Sequence, residues 1–129
     1  MKYLGIDYGK KKIGIAISEG EMAEPFMILE ISSLKDALGK VIKIINDEGI
    51  EEVVIGMPES GEAKKITENF IELLSKHVKV IESEETLSSQ KAQKMMADLG
   101  IPKNKRGDED SYAAAYILQD YLDNLTMSS

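Results

Sequence analysis

The chain has 129 residues, of which 43% are hydrophobic and 30% charged, a profile typical of one folded domain and not of a disordered segment. It contains no cysteine, which excludes disulfide bonds, a thiolate nucleophile and cysteine-ligated zinc. The net charge of −7 argues against a protein that coats DNA or RNA, because such proteins neutralise phosphates with clustered lysine and arginine. The sequence shows neither a signal peptide nor an apolar run of the ~20 residues that span a bilayer, so we expect a cytoplasmic protein without membrane contact.

The first thirty residues predict three β-strands. Tyr3–Tyr8 is the first strand, and Gly9 forms a turn with the three lysines that follow it. The second strand, over 13–18, alternates isoleucine with small residues, as a strand with one buried face does. Because the link between these two alternating strands is short, they are expected to form an antiparallel hairpin. Residues 26–31 make a third short strand.

The rest of the chain alternates helices with strands. In order, the patterns predict a helix over 33–49, a strand over 51–58, a helix over 62–76, a strand over 77–85, and helices over 88–99 and 109–125. Ser33 and Asp36 form an approximate capping box at the start of the first helix, and Gly49 ends it. The expected fold class is α/β, with a mixed five-stranded sheet (three antiparallel strands, then two parallel) and helices on both faces, in a single domain over 1–129.

Acidic side chains end two of these strands and open the last helix. Asp7 lies at the end of the first strand, Glu84 and Glu85 at the end of the fifth, and Asp110 in the first turn of the last helix. Parallel strands bring their carboxyl ends to one edge of the sheet, where ligands gather. With one strand between them, the first and fifth strands end roughly 10 Å apart. Two side chains can close that gap around a pair of metal ions about 3.5–4 Å apart.

Carboxylates without histidine or cysteine are hard oxygen ligands, which favours Mg²⁺ or Mn²⁺ over zinc. A site of this kind serves phosphoryl transfer, in which one ion activates water and the other stabilises the leaving oxygen. An ordinary structural interpretation is also open for each acid. Asp7 can be part of a turn, and the glutamates can form a solvated strand end. Asp110 can simply stabilise the N-terminus of its helix through its negative charge.

Two short basic clusters lie next to these acids in the sequence. They are Lys10, Lys11 and Lys12, and then Lys103, Lys105 and Arg106. Both clusters could be solvated turns. They could equally hold the phosphodiester backbone of a nucleic acid beside the metal ions, since phosphate contacts position a nucleic acid without reading its sequence.

Four segments together resemble one family. They are "LGIDYGKKKIGIAIS" over 4–18, "VVIGMP" over 53–58, "EETLSSQKA" over 84–92 and "DSYAAAYILQDYLD" over 110–123. In this order and spacing they are similar to the YqgF family, also called RuvX-like, of Holliday-junction resolvases. That family is now usually described as nucleases that process the 5′ end of pre-16S ribosomal RNA. The resemblance covers nearly the whole chain and implies an RNase H-like fold.

The resemblance implies that Asp7, Glu85 and Asp110 are the catalytic acids that hold Mg²⁺ or Mn²⁺, with two ions expected. Glu84 is the fallback for Glu85, because successive side chains of a strand face opposite sides and only one of the two is expected to enter the site. The implied partner is a nucleic acid, either a ribosomal RNA precursor or branched DNA. The oligomeric state, monomer or homodimer, stays open.

The chain departs from the family pattern at three points. Thr86 stands where the family has arginine, so a bidentate contact to phosphate or carboxylate is lost. Lys12 stands where arginine is common, and the loop after the fourth strand is shorter than usual. Whether the loss of the arginine at Thr86 reduces activity stays open.

Two other functions compete with the nuclease. The first is a nucleic-acid-binding or ribosome-assembly module with weak or no cleavage, which the net charge and the missing arginine favour. The second is a phosphate loop of the sugar-kinase and actin type, since the first motif also resembles that superfamily. Those proteins use two such domains around a nucleotide, and the chain is long enough for only one.

Overall fold

The computed structural model describes residues 1–58, 60–84 and 109–128. Its strands and helices are, in chain order, β1 (Tyr3–Tyr8), β2 (Lys12–Ser18), β3 (Ala23–Glu30), α1 (Leu34–Glu48), β4 (Glu52–Met57), α2 (Gly61–Leu74), β5 (Lys79–Glu84) and α3 (Glu109–Ser128). The helix predicted over 88–99 lies outside the described residues.

The five strands form one sheet in the order β3-β2-β1-β4-β5. β1, β2 and β3 pair antiparallel, whereas β4 pairs parallel to both β1 and β5. The predicted mixed sheet is therefore confirmed, including the position of the fourth strand between the first and the fifth. Because β1, β4 and β5 run in the same direction, their carboxyl ends meet at one edge of the sheet, called here the carboxyl edge.

The sheet separates two apolar cores. On one face, alternate residues of β1 and β2, such as Leu4 and Ile15, pack with the buried stripes of α1 and α2. On the other face, Ala16 and Val54 pack against Ala114 and Leu118 of α3. β4 contributes to both cores, as its continuous apolar run predicts. Helices therefore cover both faces, as expected.

The apolar pattern of the last helix predicts an inward face of Tyr112, Ala113, Tyr116, Ile117 and Leu118, and α3 departs from it in part. Ala113, Ile117 and Leu118 are buried, but Tyr112 and Tyr116 are only half-buried. Small residues take part in the packing instead, since Ala114 and Ala115 are buried in the core between α3 and the sheet. The helix also continues to Ser128, three residues beyond its predicted end.

β3 begins three residues earlier than predicted. The three added residues include a proline, Pro25. The structure accommodates it because β3 is an edge strand, where a missing backbone N–H costs no ladder bond. A register shift opposite Ile15 and Ala16 bulges the strand at Phe26. Bulges and prolines of this kind protect an exposed edge from pairing with another chain.

Local signals set both ends of α1. The Ser33 side chain accepts a hydrogen bond from the Asp36 backbone N–H at 3.0 Å, and Asp36 in turn accepts one from the Ser32 N–H at 3.0 Å. Gly49 ends the helix in the left-handed conformation at φ 68°. The predicted capping box and glycine stop are therefore confirmed.

This cap gives the fold an acid-sensitive element. The hydrogen bond from the Ser32 backbone, followed by the contact with Lys40, holds the pKa of Asp36 below its usual value. A lowered carboxyl pKa contributes stability above the unfolded-state pKa of about 3.9, and that stability is lost as the pH falls below it. We therefore expect Asp36→Asn to destabilise the protein at pH 7 and to make no difference near pH 2.

Urea unfolding from pH 2 to pH 7 checks this expectation. Glu68→Gln, which removes one charge from an exposed position of α2, is the control and should leave the wild-type profile unchanged. A constant difference between wild type and Asp36→Asn at every pH would contradict the proposed role of the carboxylate.

Candidate functional site

Asp7 lies at the carboxyl edge, one residue before the end of β1. It is half-buried, and its register partner on β2 is Gly14. One step beyond the Ile6–Ile55 pair, Asp7 is level with Gly56 of β4, which pairs in turn with Ser83 of β5. The predicted position of Asp7 at the shared edge of the parallel strands is therefore what the structure shows.

Alternation along β1 places Asp7 on the face that α3 covers. Tyr3 and Gly5 have the same strand parity as Asp7, and both meet α3. The Tyr3 ring lies edge-on to Tyr121, with centroids 6.1 Å apart. A Cβ added to Gly5 would lie 2.7 Å from the carbonyl oxygen of Ala114.

These two contacts show that α3 runs antiparallel to β1, because the earlier residue of β1 meets the later residue of the helix. Asp7 lies about 7 Å beyond Gly5 along the strand. Asp110 lies one turn before Ala114, about 6 Å back along the helix axis. The step from Gly5 to Asp7 along the strand and the step from Ala114 back to Asp110 along the helix have similar lengths and the same direction. The backbone positions of Asp7 and Asp110 therefore lie at the same edge and on the same face of the sheet.

The third predicted acid falls at the limit of the described residues. On β5, Ile81 packs in the α3 core, and Ser83 shares its parity. Glu84 ends the strand in register with Met57. Glu85 lies outside the described residues, as do Thr86, Lys103, Lys105 and Arg106. The choice of Glu85 over Glu84 stays a prediction.

The donor chemistry at this edge fits a hard divalent cation. The chain's single histidine, His77, is exposed and precedes β5, so it lies toward the opposite edge of the sheet. The candidate ligands predicted for this edge are therefore carboxylates of Asp and Glu, and such ligands suit Mg²⁺ or Mn²⁺. Among the described residues alone, no three carboxylate, histidine or cysteine groups come together to hold a metal ion. The side chains of Asp110 and Glu85, which would complete the predicted set, are not among those that the structure describes.

The lysine turn between β1 and β2 lies at the same edge. The Gly9 N–H donates to the Lys12 carbonyl at 2.9 Å, and the Ile31 N–H donates to the Lys11 carbonyl at 2.9 Å. A Cβ at Gly9 would lie only 2.7 Å from that Lys12 carbonyl, so the turn requires glycine at this position. The backbone of the turn is therefore held on both sides, and its lysine side chains are exposed.

The structure separates the three lysines. Lys10 Nζ lies 3.5 Å from a carboxylate oxygen of Glu62 in the first turn of α2. Lys12 shares the strand parity of Gly14, the register partner of Asp7, and so lies on the α3 face. Lys12 and Asp7 are therefore diagonal neighbours on β2 and β1, and residues in this relation lie about 7–8 Å apart. Lys12 is thus on the same face as Asp7, whereas Lys10 is drawn toward α2.

The turn also borders a surface cavity of about 620 Å³. It is lined by Lys10, Lys11, Lys12, Glu30, Ile31 and Ser32. Its lining combines three positive charges with one acid, so the cavity extends the basic character of the carboxyl edge away from Asp7.

Sequence reasoning missed two residues of this region. Glu62 was treated only as the start of a helix, and nothing in the sequence signals its pairing with a lysine 52 positions earlier. Gly5 was treated as part of a motif. A glycine inside a strand often marks the close approach of another backbone, and that signal was available.

The sequence of the chain matches the family model described as "RuvX: Holliday junction resolvase" over residues 1–124. The chain belongs to the RuvX family. Two relatives from this comparison are named "Putative pre-16S rRNA nuclease". The one from Ruminiclostridium cellulolyticum is 38% identical, covering 97% of this chain and 96% of its own. The one from Staphylococcus epidermidis is 35% identical, covering 96% of each chain.

Solved structures show the same fold at low sequence identity. Thermus thermophilus RuvC in complex with a Holliday junction substrate aligns with a TM-score of 0.70 at 14% identity, covering 100% of this chain and 98% of its own. The fowlpox virus Holliday junction resolvase aligns at 0.62 and 17% identity, covering 97% and 99%. These similarities confirm the RNase H-like fold of this RuvX-family chain.

Family membership confirms the resemblance and the prediction of a nuclease, which acts on nucleic acid. It also favours the nuclease over a phosphate loop of the sugar-kinase type. None of the helices in the described part of the chain combines the length and apolarity needed to cross a membrane.

Proposed function

We propose that this RuvX-family chain is a cytoplasmic, metal-dependent endonuclease that processes the 5′ end of pre-16S ribosomal RNA. The observation that carries the proposal is the position of Asp7, half-buried at the carboxyl edge and level with the first turn of α3, where Asp110 lies. The names of the full-length relatives support the choice of substrate. Branched DNA is the other substrate, which the family description supports.

Asp7, Asp110 and Glu85 are the residues proposed to hold Mg²⁺ or Mn²⁺, as a pair of ions. On β5, the described residues Ile81 and Ser83 share the face of Asp7. The family motif puts the choice on Glu85, with Glu84 as the fallback. When bound, the ions supply an activated water and neutralise charge on the leaving oxygen. Clustered carboxylates repel one another, and a bound cation would offset that repulsion.

The basic residues of both clusters are proposed to hold the phosphodiester backbone. Among the basic residues that the structure describes, Lys12 has the most direct access to the nucleic-acid strand that would be cut, because it shares the face of Asp7. Lys10 and Lys11 border the cavity beside the turn and would contact phosphates farther along the nucleic acid.

Salt-dependent binding separates Lys12 from Lys10. Each lost phosphate contact lowers the slope of log K against log salt by about 0.7–0.9. We expect Lys12→Gln to show that loss and to weaken RNA binding. Lys10→Gln removes the same charge from a lysine that already has a carboxylate partner, so it should change the slope less. Fluorescence anisotropy at several salt concentrations measures both variants, and an equal or larger effect of Lys10→Gln would contradict the assignment.

Cleavage of end-labelled substrates tests the function. A pre-16S rRNA fragment and a synthetic four-way junction are incubated with the full chain, with and without Mn²⁺. Metal-dependent cutting of the RNA at a defined position supports the proposal, whereas cutting of the junction alone would assign branched DNA. Resolution of a junction needs two cuts and therefore a homodimer, so the mass of the protein in solution is measured alongside.

A binding or assembly module is the second candidate. The net charge of −7 and Thr86 in place of the family arginine favour it, since both weaken contacts to phosphate. If the chain binds the RNA but cuts neither substrate at millimolar Mn²⁺, this second candidate replaces the first.

A further inference from the structure

Gly5 lies two residues before Asp7 on β1, at a place where α3 approaches the strand closely. A Cβ added there would lie 2.7 Å from the carbonyl oxygen of Ala114 and 2.8 Å from Cβ of Leu118. Neither atom belongs to the flexible end of a side chain, so the helix could not give way by a rotamer change. Ordinary van der Waals contact begins at 3.4 Å. Any side chain at position 5 must therefore lift α3 from the sheet.

The surroundings of Gly5 show a close approach built from small residues. Its register partner on β2 is Ala16, which is fully buried beneath the same helix. Ala114 and Ala115 of α3 are buried in the same core as Ala16. Glycine and alanine on the strands thus meet alanine on the helix, so the distance between the two backbones at this level depends on the absence of larger side chains.

The same contact lies one step from the proposed metal site. Asp7 lies about 7 Å beyond Gly5 on the strand, and Asp110 lies one helical turn, about 6 Å, before Ala114. A helix lifted at Gly5 therefore carries the first turn of α3 away from Asp7. Catalytic groups tolerate displacements of only about 0.5 Å.

We propose that Gly5 is a positioning residue that sets the separation of Asp7 and Asp110 by allowing α3 to approach β1, and thereby determines the affinity for the divalent cation. This inference rests on the proposed metal-dependent function. It assigns to Gly5 a role in metal binding that is distinct from its contribution to stability.

The test titrates Mn²⁺ alone into the full chain, with free Mn²⁺ followed by electron paramagnetic resonance. Gly5→Ala is expected to weaken Mn²⁺ binding by about 10-fold or more, the size of effect that supporting residues have on metal sites. Gly39→Ala is the matched control, because a Cβ at Gly39 of α1 meets nothing within 4 Å. It should bind Mn²⁺ as the wild type does.

Two further variants distinguish an effect on the position of α3 from an effect on the stability of the fold. Leu118→Ala loosens the packing of α3 but inserts no wedge, so it should lower the melting temperature and change Mn²⁺ affinity by less than about 3-fold. Ala16→Val adds two methyl groups beneath α3 at the level of Gly5 and should weaken Mn²⁺ binding in the same direction. If Gly5→Ala does not fold, Ala16→Val decides the question.

The outcomes distinguish the inference from the proposed function. Unchanged affinity in a folded Gly5→Ala, or an equal loss in Leu118→Ala, overturns the role of Gly5 while Asp7-dependent binding by the wild type still supports the metal site. If the wild type itself shows no Mn²⁺ binding that Asp7→Asn removes, both the proposed function and this inference fail.

Discussion

Asp7→Asn is expected to abolish metal-dependent cleavage. Even residues that only support a metal ligand cost 10–100-fold when they are replaced, so loss of a proposed ligand should exceed about 100-fold. Asparagine keeps the size of the side chain and one acceptor oxygen, but it removes the negative charge that would hold the cation. Initial rates on the end-labelled RNA, at several Mn²⁺ concentrations, measure the loss.

Thermal unfolding of Asp7→Asn gives an independent readout. Without metal, the variant should melt at the same temperature as the wild type or higher, because it removes one charge from the proposed cluster of acids, whose members would repel one another. With Mn²⁺ at about 100 times its Kd, the free energy of unfolding of the wild type should rise by about 2.7 kcal/mol, and that of the variant should not change. Asp47→Asn, an exposed change on α1, is the control and should respond to Mn²⁺ as the wild type does.

Two results would contradict this account of Asp7. One is cleavage by Asp7→Asn at the wild-type rate. The other is a large fall in melting temperature without metal, which would show that the carboxylate supports the fold and not a cation.

Phe70→Ala is expected to have the largest effect on stability. Phe70 of α2 is fully buried, and its ring packs against Tyr8 of β1 with centroids 4.6 Å apart. Removing a buried phenylalanine side chain costs about 3–5 kcal/mol. That is a large share of the roughly 5–15 kcal/mol that holds a domain folded. Urea unfolding at neutral pH measures the free energy of unfolding.

The other phenylalanine of the chain provides a matched control. Phe26 lies at the bulge of the edge strand β3 and is 38% exposed. Phe26→Ala makes the same chemical change at the surface and should cost less than about 1 kcal/mol. Similar losses in the two variants would contradict the assignment of the main core to the face covered by α1 and α2.

The sequence predicted the elements and their order because their signals are local. The bounds of β1, the cap at Ser33 and the glycine stop at Gly49 depend on residues within a few positions of one another. The alternation of apolar and small residues in β2 likewise predicts which of its residues are buried. The continuous apolar run of β4 predicts a strand that is buried on both faces. From these signals the mixed sheet followed, and with it the expectation that Asp7 lies at the carboxyl edge.

The sequence was less informative where a residue's surroundings override its own preference. The predicted third strand begins at 26, yet β3 also includes Pro25, because an edge position with a bulge tolerates a proline. Tyr112 and Tyr116 fit the apolar stripe of a helix. They are nevertheless only half-buried, and the small alanines beside them are buried instead, because α3 packs closely on the sheet. Both errors concern how elements pack, and neither concerns whether they exist.

By itself, the sequence determined the family, the fold class and the candidate acids. Only the tertiary structure decided that Asp7 faces α3, that Lys12 shares this face while Lys10 turns toward Glu62, and that Gly5 admits the helix. The physical reason is separation along the chain. Hydrogen bonds and side-chain periodicity act between near neighbours, whereas the contact between Gly5 and Ala114 joins residues more than one hundred positions apart, and only the packed sheet and helix bring them together.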